Sequence, residues 1–196
     1  MSAFRRELPV IIVNAIYITF FTFVALGNAN YEFVLYAGVV IVLFGWILYK
    51  QAVVQFDRTI LWGLTAWGLM HMAGGNVRIN GEILYGLQLI PVVLRYDEFV
   101  HAFGFGVGTL VCFHLLRPYL RNDTEKWWPL AILVVLMGLG LGALNELVEF
   151  VAVVTIPETN VGGYKNTLWD LVFDLIGAVL AVILLTYRRA RRGSVS

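Results

Sequence analysis

PLAILVVLMGLGLGALNELVEFVAVV, residues 129–154, decides the fold. The run has no basic side chain and only two acids, Glu146 and Glu149. About 20 apolar residues, at 1.5 Å each, cross about 30 Å of hydrocarbon, so this run reads as a transmembrane helix. It is longer than a span requires, so it tilts or projects from the bilayer. The two acids stand three residues apart and share one helix face. Charged groups inside a bilayer are costly and rare unless they pair, face water or bind something. One stretch therefore predicts both a membrane fold and a polar site within it.

Composition extends that reading to the whole chain. Of 196 residues, 60% are hydrophobic and 14% charged, against about a quarter charged in soluble domains. Mean hydropathy is +0.79. Six spans emerge, roughly 9–27, 31–49, 59–74, 98–116, 129–154 and 167–187. The expected architecture is all-α: a polytopic bundle forming a single integral membrane domain over 1–196, with the lipid bilayer as its partner. A further apolar stretch, 83–94, contains Gln88 and Pro91 and is too short to span. It reads as an interfacial or re-entrant piece. The lone Cys112 excludes a disulfide framework and reads as a small buried apolar side chain. A formal charge of +1 makes no case for a nucleic-acid partner.

Basic residues orient the bundle. Arg5, Arg6, Lys50, Arg58, Arg117, Arg121, Lys126, Arg188, Arg189, Arg191 and Arg192 fall on one side of a six-span arrangement. Only Arg78, Arg95 and Lys165 fall on the other. Both termini are expected in the cytoplasm, with the protein multi-pass in the inner (cytoplasmic) membrane. A seventh span at 83–94 would put the Arg-rich tail outside. Arg5 and Arg6 before an apolar run resemble a signal peptide. The apolar core is too long for that, and no A-x-A-like site follows.

This orientation gathers seven ionisable residues on the outer half: His71, Asp97, His101, Glu146, Glu149, Asp170 and Asp174. Asp97 and His101 are four apart, as are Asp170 and Asp174, so each pair shares a helix face. Gly104 and Gly108 continue the first stripe; Gly177 and Ala181 continue the second. Asn145, Gly142 and Gly138 lie on the side of Glu146 and Glu149. Three helices thus repeat one pattern, with acids at the outer end and small residues below that permit close approach. The expectation is a polar cup over a tight three-helix contact, with His71 contributed by a fourth helix.

Five carboxylates packed together cannot all stay ionised without compensating charge. A divalent metal ion supplies it, and oxygens with one or two histidines suit zinc, manganese, iron or magnesium. Carboxylates with histidine at helical spacing build metal sites in bundles. His101, Glu146, Glu149 and Asp174 are the expected core, with Asp97, Asp170 and His71 as further ligands or as partners that orient them. Blander readings stand beside this one. Asp97 and Asp170 sit where an N-cap belongs, and His71 suits a helix-end bond to a loop carbonyl. Glu82 and Glu158 read as solvated loop acids and His114 as a packing or snorkelling residue. Asp57, Arg58, Asp123, Glu125 and Lys126 read as ordinary loop charges. Trp62, Trp67, Trp127, Trp128 and Trp169 suit interfacial belts.

Several segments resemble the YjdF-like inner-membrane proteins, a family without an assigned reaction. They are Tyr96-Asp97 with His101, Glu146-Leu147-Val148-Glu149-Phe150, and Trp169-Asp170 with Asp174 and Gly177-Ala178. His71 with Gly74 and Gly75 is similar to that family's histidine-glycine-glycine segment. The resemblance covers about 60–185. The family often has another acid just before its Trp-Asp, where this chain has Asn166 and Thr167. VanZ-like membrane proteins are a more distant similarity, sharing an Asp-x-x-x-His start and later acids.

Three function classes follow. The first is a metal-dependent membrane hydrolase of a lipid or lipid-linked substrate at the outer leaflet. There a metal polarises the scissile group, and Glu146 or Glu149 is the catalytic general base. The second is a cation or proton transporter or channel. Against it, no inverted repeat is evident and the polar residues stop halfway across the bilayer. The third is a non-catalytic accessory protein whose polar cluster serves folding alone, a costly way to hold helices.

Overall fold

The computed structural model describes residues 2–120 and 127–193. Six α-helices run through them: α1 (Ser2–Gly27), α2 (Tyr31–Val54), α3 (Arg58–Asn76), α4 (Tyr96–Leu116), α5 (Trp127–Thr155) and α6 (Tyr164–Gly193). The fold is the all-α membrane helix bundle that the apolar runs predict. Of the loop charges, Arg121, Asp123, Glu125 and Lys126 lie outside the described residues.

Five helices are long and apolar enough to cross a membrane; α3 is not among them. Its 19 residues include Thr65, His71 and Asn76, which lower its hydropathy. It still runs the depth of the bundle. Its middle bonds to α1 through Thr65, and its far end bonds to the α1–α2 turn, where Asn30 Nδ2 donates to Gly75 O at 3.1 Å. The six helices alternate in direction, so both termini lie at one end of the bundle. Trp127 Nε1 at the start of α5 donates to Thr186 near the end of α6 (2.7 Å).

The helices form two groups of three. α1 packs on α2 and α3, while α4, α5 and α6 pack on one another, with α4 on α6 the most extensive contact. α3 on α4 joins the groups. Buried Phe33, Tyr36 and Met72 centre the first core; Leu130, Val134 and Val182 centre the second. The α4–α6 approach depends on glycine. A Cβ on Gly177 would collide with the Ala102 carbonyl oxygen, and one on Gly106 would crowd the Gly177 carbonyl. This backbone-on-backbone contact is the close approach that small residues allow between membrane helices.

The 83–94 stretch is neither helix nor span. Between α3 and α4 the chain makes two short antiparallel ribbons, joined by a single 3-10 turn (Leu84–Gly86). β1 (Arg78–Ile79) pairs with β2 (Glu82–Ile83), and β3 (Gln88–Ile90) with β4 (Leu94–Arg95). Pro91 cannot continue a helix and occupies the tip of the second ribbon. The chain therefore returns to the end it left, here termed the hairpin end.

Candidate functional site

The acids collect at the hairpin end, between α4, α5 and α6. Asp170 and Asp174 are fully buried, and His101 is 6% exposed. Asp97, His101 and Asp170 present ligand atoms within 4.8 Å of one another; so do His101, Glu146 and Glu149. His101 belongs to both groups and sits at their junction.

The histidine is oriented from behind. Its Nδ1 lies 2.9 Å from Asp174 Oδ1. A carboxylate only accepts, so Nδ1 carries a proton, and in the neutral ring Nε2 is then left with its lone pair. Asp97 Oδ1 stands 3.8 Å from that Nε2. Asp174 thus has the position of an orienting partner. Gly142 makes room for it, since a Cβ there would fall on the Asp174 carboxylate.

Neither Asp97 nor Asp170 is an N-cap. Arg95 precedes α4, and α6 begins at Tyr164, well before Asp170. Both acids instead accept from Asn166 Nδ2, Asp97 at 3.3 Å and Asp170 more closely. Asn166 Oδ1 accepts in turn from Arg95 Nη2 at 2.8 Å. A cation therefore stands one residue from the acids, where the sequence suggests only a loop charge. On α5, Asn145 Nδ2 donates to Glu149 Oε1 at 2.8 Å.

Four carboxylate oxygens are buried without a hydrogen-bond partner among the described residues: Glu7 Oε2 near the start of α1, and Glu146 Oε1, Asp170 Oδ1 and Asp174 Oδ2 together in the cluster. Buried polar atoms nearly always find partners. Orphaned carboxylate oxygens around a histidine whose neutral ring offers Nε2 are a donor set that fits a divalent cation.

His71 is in neither group. Tyr85 Oη lies 2.6 Å from His71 Nδ1 and donates to His71 O at 3.2 Å. One hydroxyl proton cannot serve both bonds, and which of them it serves follows the tautomer of the His71 ring. Burial pushes the Tyr85 phenol well above its ordinary pKa, which keeps that hydroxyl protonated. Phe33, Tyr36 and Trp67 surround the imidazole. Trp67 is therefore an inner packing residue, unlike the interfacial belt expected of it, because Gly104 leaves room for its indole.

The family described as "Predicted membrane protein (DUF2238)" matches residues 9–191. The chain belongs to DUF2238. That match takes in parts of all six helices and every residue of the acid cluster. No curated protein and no solved structure matches the chain. DUF2238 membership thus supports a multi-pass membrane protein and assigns no chemistry.

Several residues of this DUF2238 protein gave little signal in the sequence. Asn166 stood where a related pattern carries an acid, and its bridging role needs the α4–α6 contact to be known. Tyr85 lies in the short 83–94 stretch, where no spacing points to His71. Asn14 is a single polar residue in an apolar helix, yet it anchors a buried network. Its Nδ2 donates to Val10 O (2.8 Å) and Thr65 Oγ1 (2.7 Å), and its Oδ1 accepts from Tyr17 (2.7 Å). Buried Glu32 accepts from Asn160 N at 2.6 Å and ties the α5–α6 loop to α2. His114 packs as expected, stacked on Phe56 with Nε2 3.1 Å from Val54 O.

Proposed function

We propose that this DUF2238 protein is a metal-dependent hydrolase acting on a lipid or lipid-linked substrate at the hairpin end. The observation that carries the reading is the set of orphaned buried oxygens of Glu146, Asp170 and Asp174 around His101. A buried carboxylate is costly unless paired or coordinated. Asp97, His101, Glu146, Glu149 and Asp170 would hold the ion, with Asp174 and His71 beside them. Zinc, manganese, iron and magnesium all suit this mix of oxygens and imidazole. When bound, a divalent ion supplies Lewis acidity and offsets the excess negative charge.

The remaining chemistry belongs to the chain. Glu149, steadied by Asn145, or Glu146 takes the proton of an attacking water as general base. Asp174 holds the His101 ring in one tautomer. The uneven placement of lysine and arginine supports cytoplasmic termini in the inner membrane, with the hairpin end facing outward. The YjdF-like and VanZ-like resemblances of the motifs belong to the same proposal. In a test, purified protein in nanodiscs is given a panel of short-chain lipid esters and lipid-linked phosphates. Expected is product release that chelator abolishes and Glu149→Gln lowers. Turnover indifferent to both contradicts the reading.

A second reading, a cation or proton pathway, has one observation in its favour. A cavity of about 400 Å³ runs from His71 and Asn145 to Asn14, Tyr17 and Thr65. Its walls are mostly apolar, with these few polar groups spaced along them. pH-dependent flux in liposomes, lost in Asn14→Leu, would favour it.

A further inference from the structure

A second pocket of about 400 Å³ opens at the hairpin end beside the acid cluster. Gln88, Val93, Arg95, Lys165, Asn166 and Trp169 line it. Of the three basic residues on the hairpin side of the helices, two meet here. Arg95 uses Nε on Glu98 and Nη2 on Asn166, and Nη1 has no hydrogen bond among the described residues. Lys165 is exposed and has no hydrogen bond or ion pair among the described residues. Glu98 also borders the pocket; its carboxylate accepts from Arg95 N and Arg95 Nε and offsets the charge of Arg95, so Lys165 carries the recess's unpaired positive charge. Two cations with donors to spare thus face one recess.

The hairpin above the pocket carries an independent sign. Its turn is closed by Val93 N–H donating to Ile90 O at 3.0 Å, with Val92 at φ 66°. Glycine is the usual residue at that position of such a turn, and a β-branched side chain there is strained. Val92 is 99% exposed and Val93 67%. An apolar tip with no described residue covering it, at one end of a membrane bundle, belongs at the lipid headgroup boundary. Trp169 beside it suits the same level.

We propose that this pocket binds a phosphate group, held by Arg95 and Lys165, and that the Val92 tip sets the pocket at headgroup depth. Arginine and lysine are the usual phosphate binders, and their contacts are charge-assisted. Assigning that phosphate to the hydrolase's substrate rests on the function proposed above; phosphate binding itself does not. Asn166 connects the pocket to Asp97 and Asp170, so a seated phosphate lies next to the acid cluster.

The test is calorimetric titration of the full chain in maltoside detergent micelles, which carry no phosphate. The probes are dihexanoyl phosphatidic acid, inorganic phosphate and, as a control without phosphate, dihexanoylglycerol. Saturable binding of phosphatidic acid is expected, with none for dihexanoylglycerol. Lys165→Gln should weaken it about tenfold, the worth of one charge-assisted contact. Arg95→Gln should weaken it further, but it also disturbs Asn166; the exposed Lys165 keeps the test clean. Comparable binding of inorganic phosphate supports a pocket for the group itself, and much weaker binding supports supply by lipid. No saturable binding of either probe, or equal affinity in Lys165→Gln and wild type, overturns the proposal. Metal content of the same samples separates the two claims. Metal-free protein with Lys165-dependent binding keeps the pocket and drops the hydrolase; metal-loaded protein without such binding does the reverse.

Discussion

Two buried polar clusters lie a few turns apart, and they are built oppositely. Between α1 and α3, Asn14, Tyr17 and Thr65 are neutral and mutually bonded; Thr65 Oγ1 completes the set by donating to Leu61 O at 2.9 Å. Between α4, α5 and α6, five acids surround one histidine, and three of their buried oxygens have no partner among the described residues. A satisfied neutral network holds helices together and asks for nothing more. An unsatisfied charged cluster is costly unless something binds it. The contrast sets a network whose bonds are closed beside a cluster whose bonds are left open in one bundle.

The heaviest loss of stability falls at Gly142. Leucine there drives into the Asp174 carboxylate, so Gly142→Leu should lower stability by about 3 kcal/mol, the upper range of overpacking. Gly140 has nothing within 4 Å of a built Cβ, so Gly140→Leu should leave the melting temperature unchanged. Equal melting of the two variants would misplace the α5–α6 contact.

Next in size, Asp174→Asn keeps the shape but weakens the hold on His101. Metal affinity should fall about 10- to 100-fold with little change in stability, as for other orienting partners. Unchanged affinity would remove Asp174 from the site. Asn14→Ala should behave in the opposite way. It removes partners from Thr65 and Tyr17 and should cost about 1–3 kcal/mol in thermal stability while metal content stays as in wild type. Loss of metal in Asn14→Ala would mean the two clusters are one.

How much of this could be read beforehand depends on spacing. The pairs Asp97 with His101, Glu146 with Glu149 and Asp170 with Asp174 were legible because helical periodicity alone puts each on one face. The division of labour between Asp170 and Asp174 was not. Both lie on the same face of α6, and which one meets His101 depends on the α4–α6 crossing at Gly106 and Gly177. Gly106 sits outside the Gly104 and Gly108 stripe, which instead meets the Trp67 and Leu141 side chains. Asn166 and Tyr85 were hidden for a related reason: their roles are made by contacts 69 and 14 residues away in sequence. Asn14 was hidden by its isolation.

The smallest expected effect concerns orientation and changes no contact. A reporter fused after Ser196 should be active only in the cytoplasm. Activity on the other side would turn the acid cluster toward the cytoplasm and leave its geometry intact.

The central claim is that the acid cluster binds a divalent cation. Elemental analysis of the purified protein, before and after chelation and re-addition of Zn²⁺, Mn²⁺, Fe²⁺ or Mg²⁺, tests it most directly. Bound metal is expected, which chelator removes with a fall in melting temperature. His101→Ala, Glu146→Ala and Glu149→Ala should hold less metal, with each variant still in the membrane. Metal-free protein whose melting ignores both chelator and added ions would contradict it.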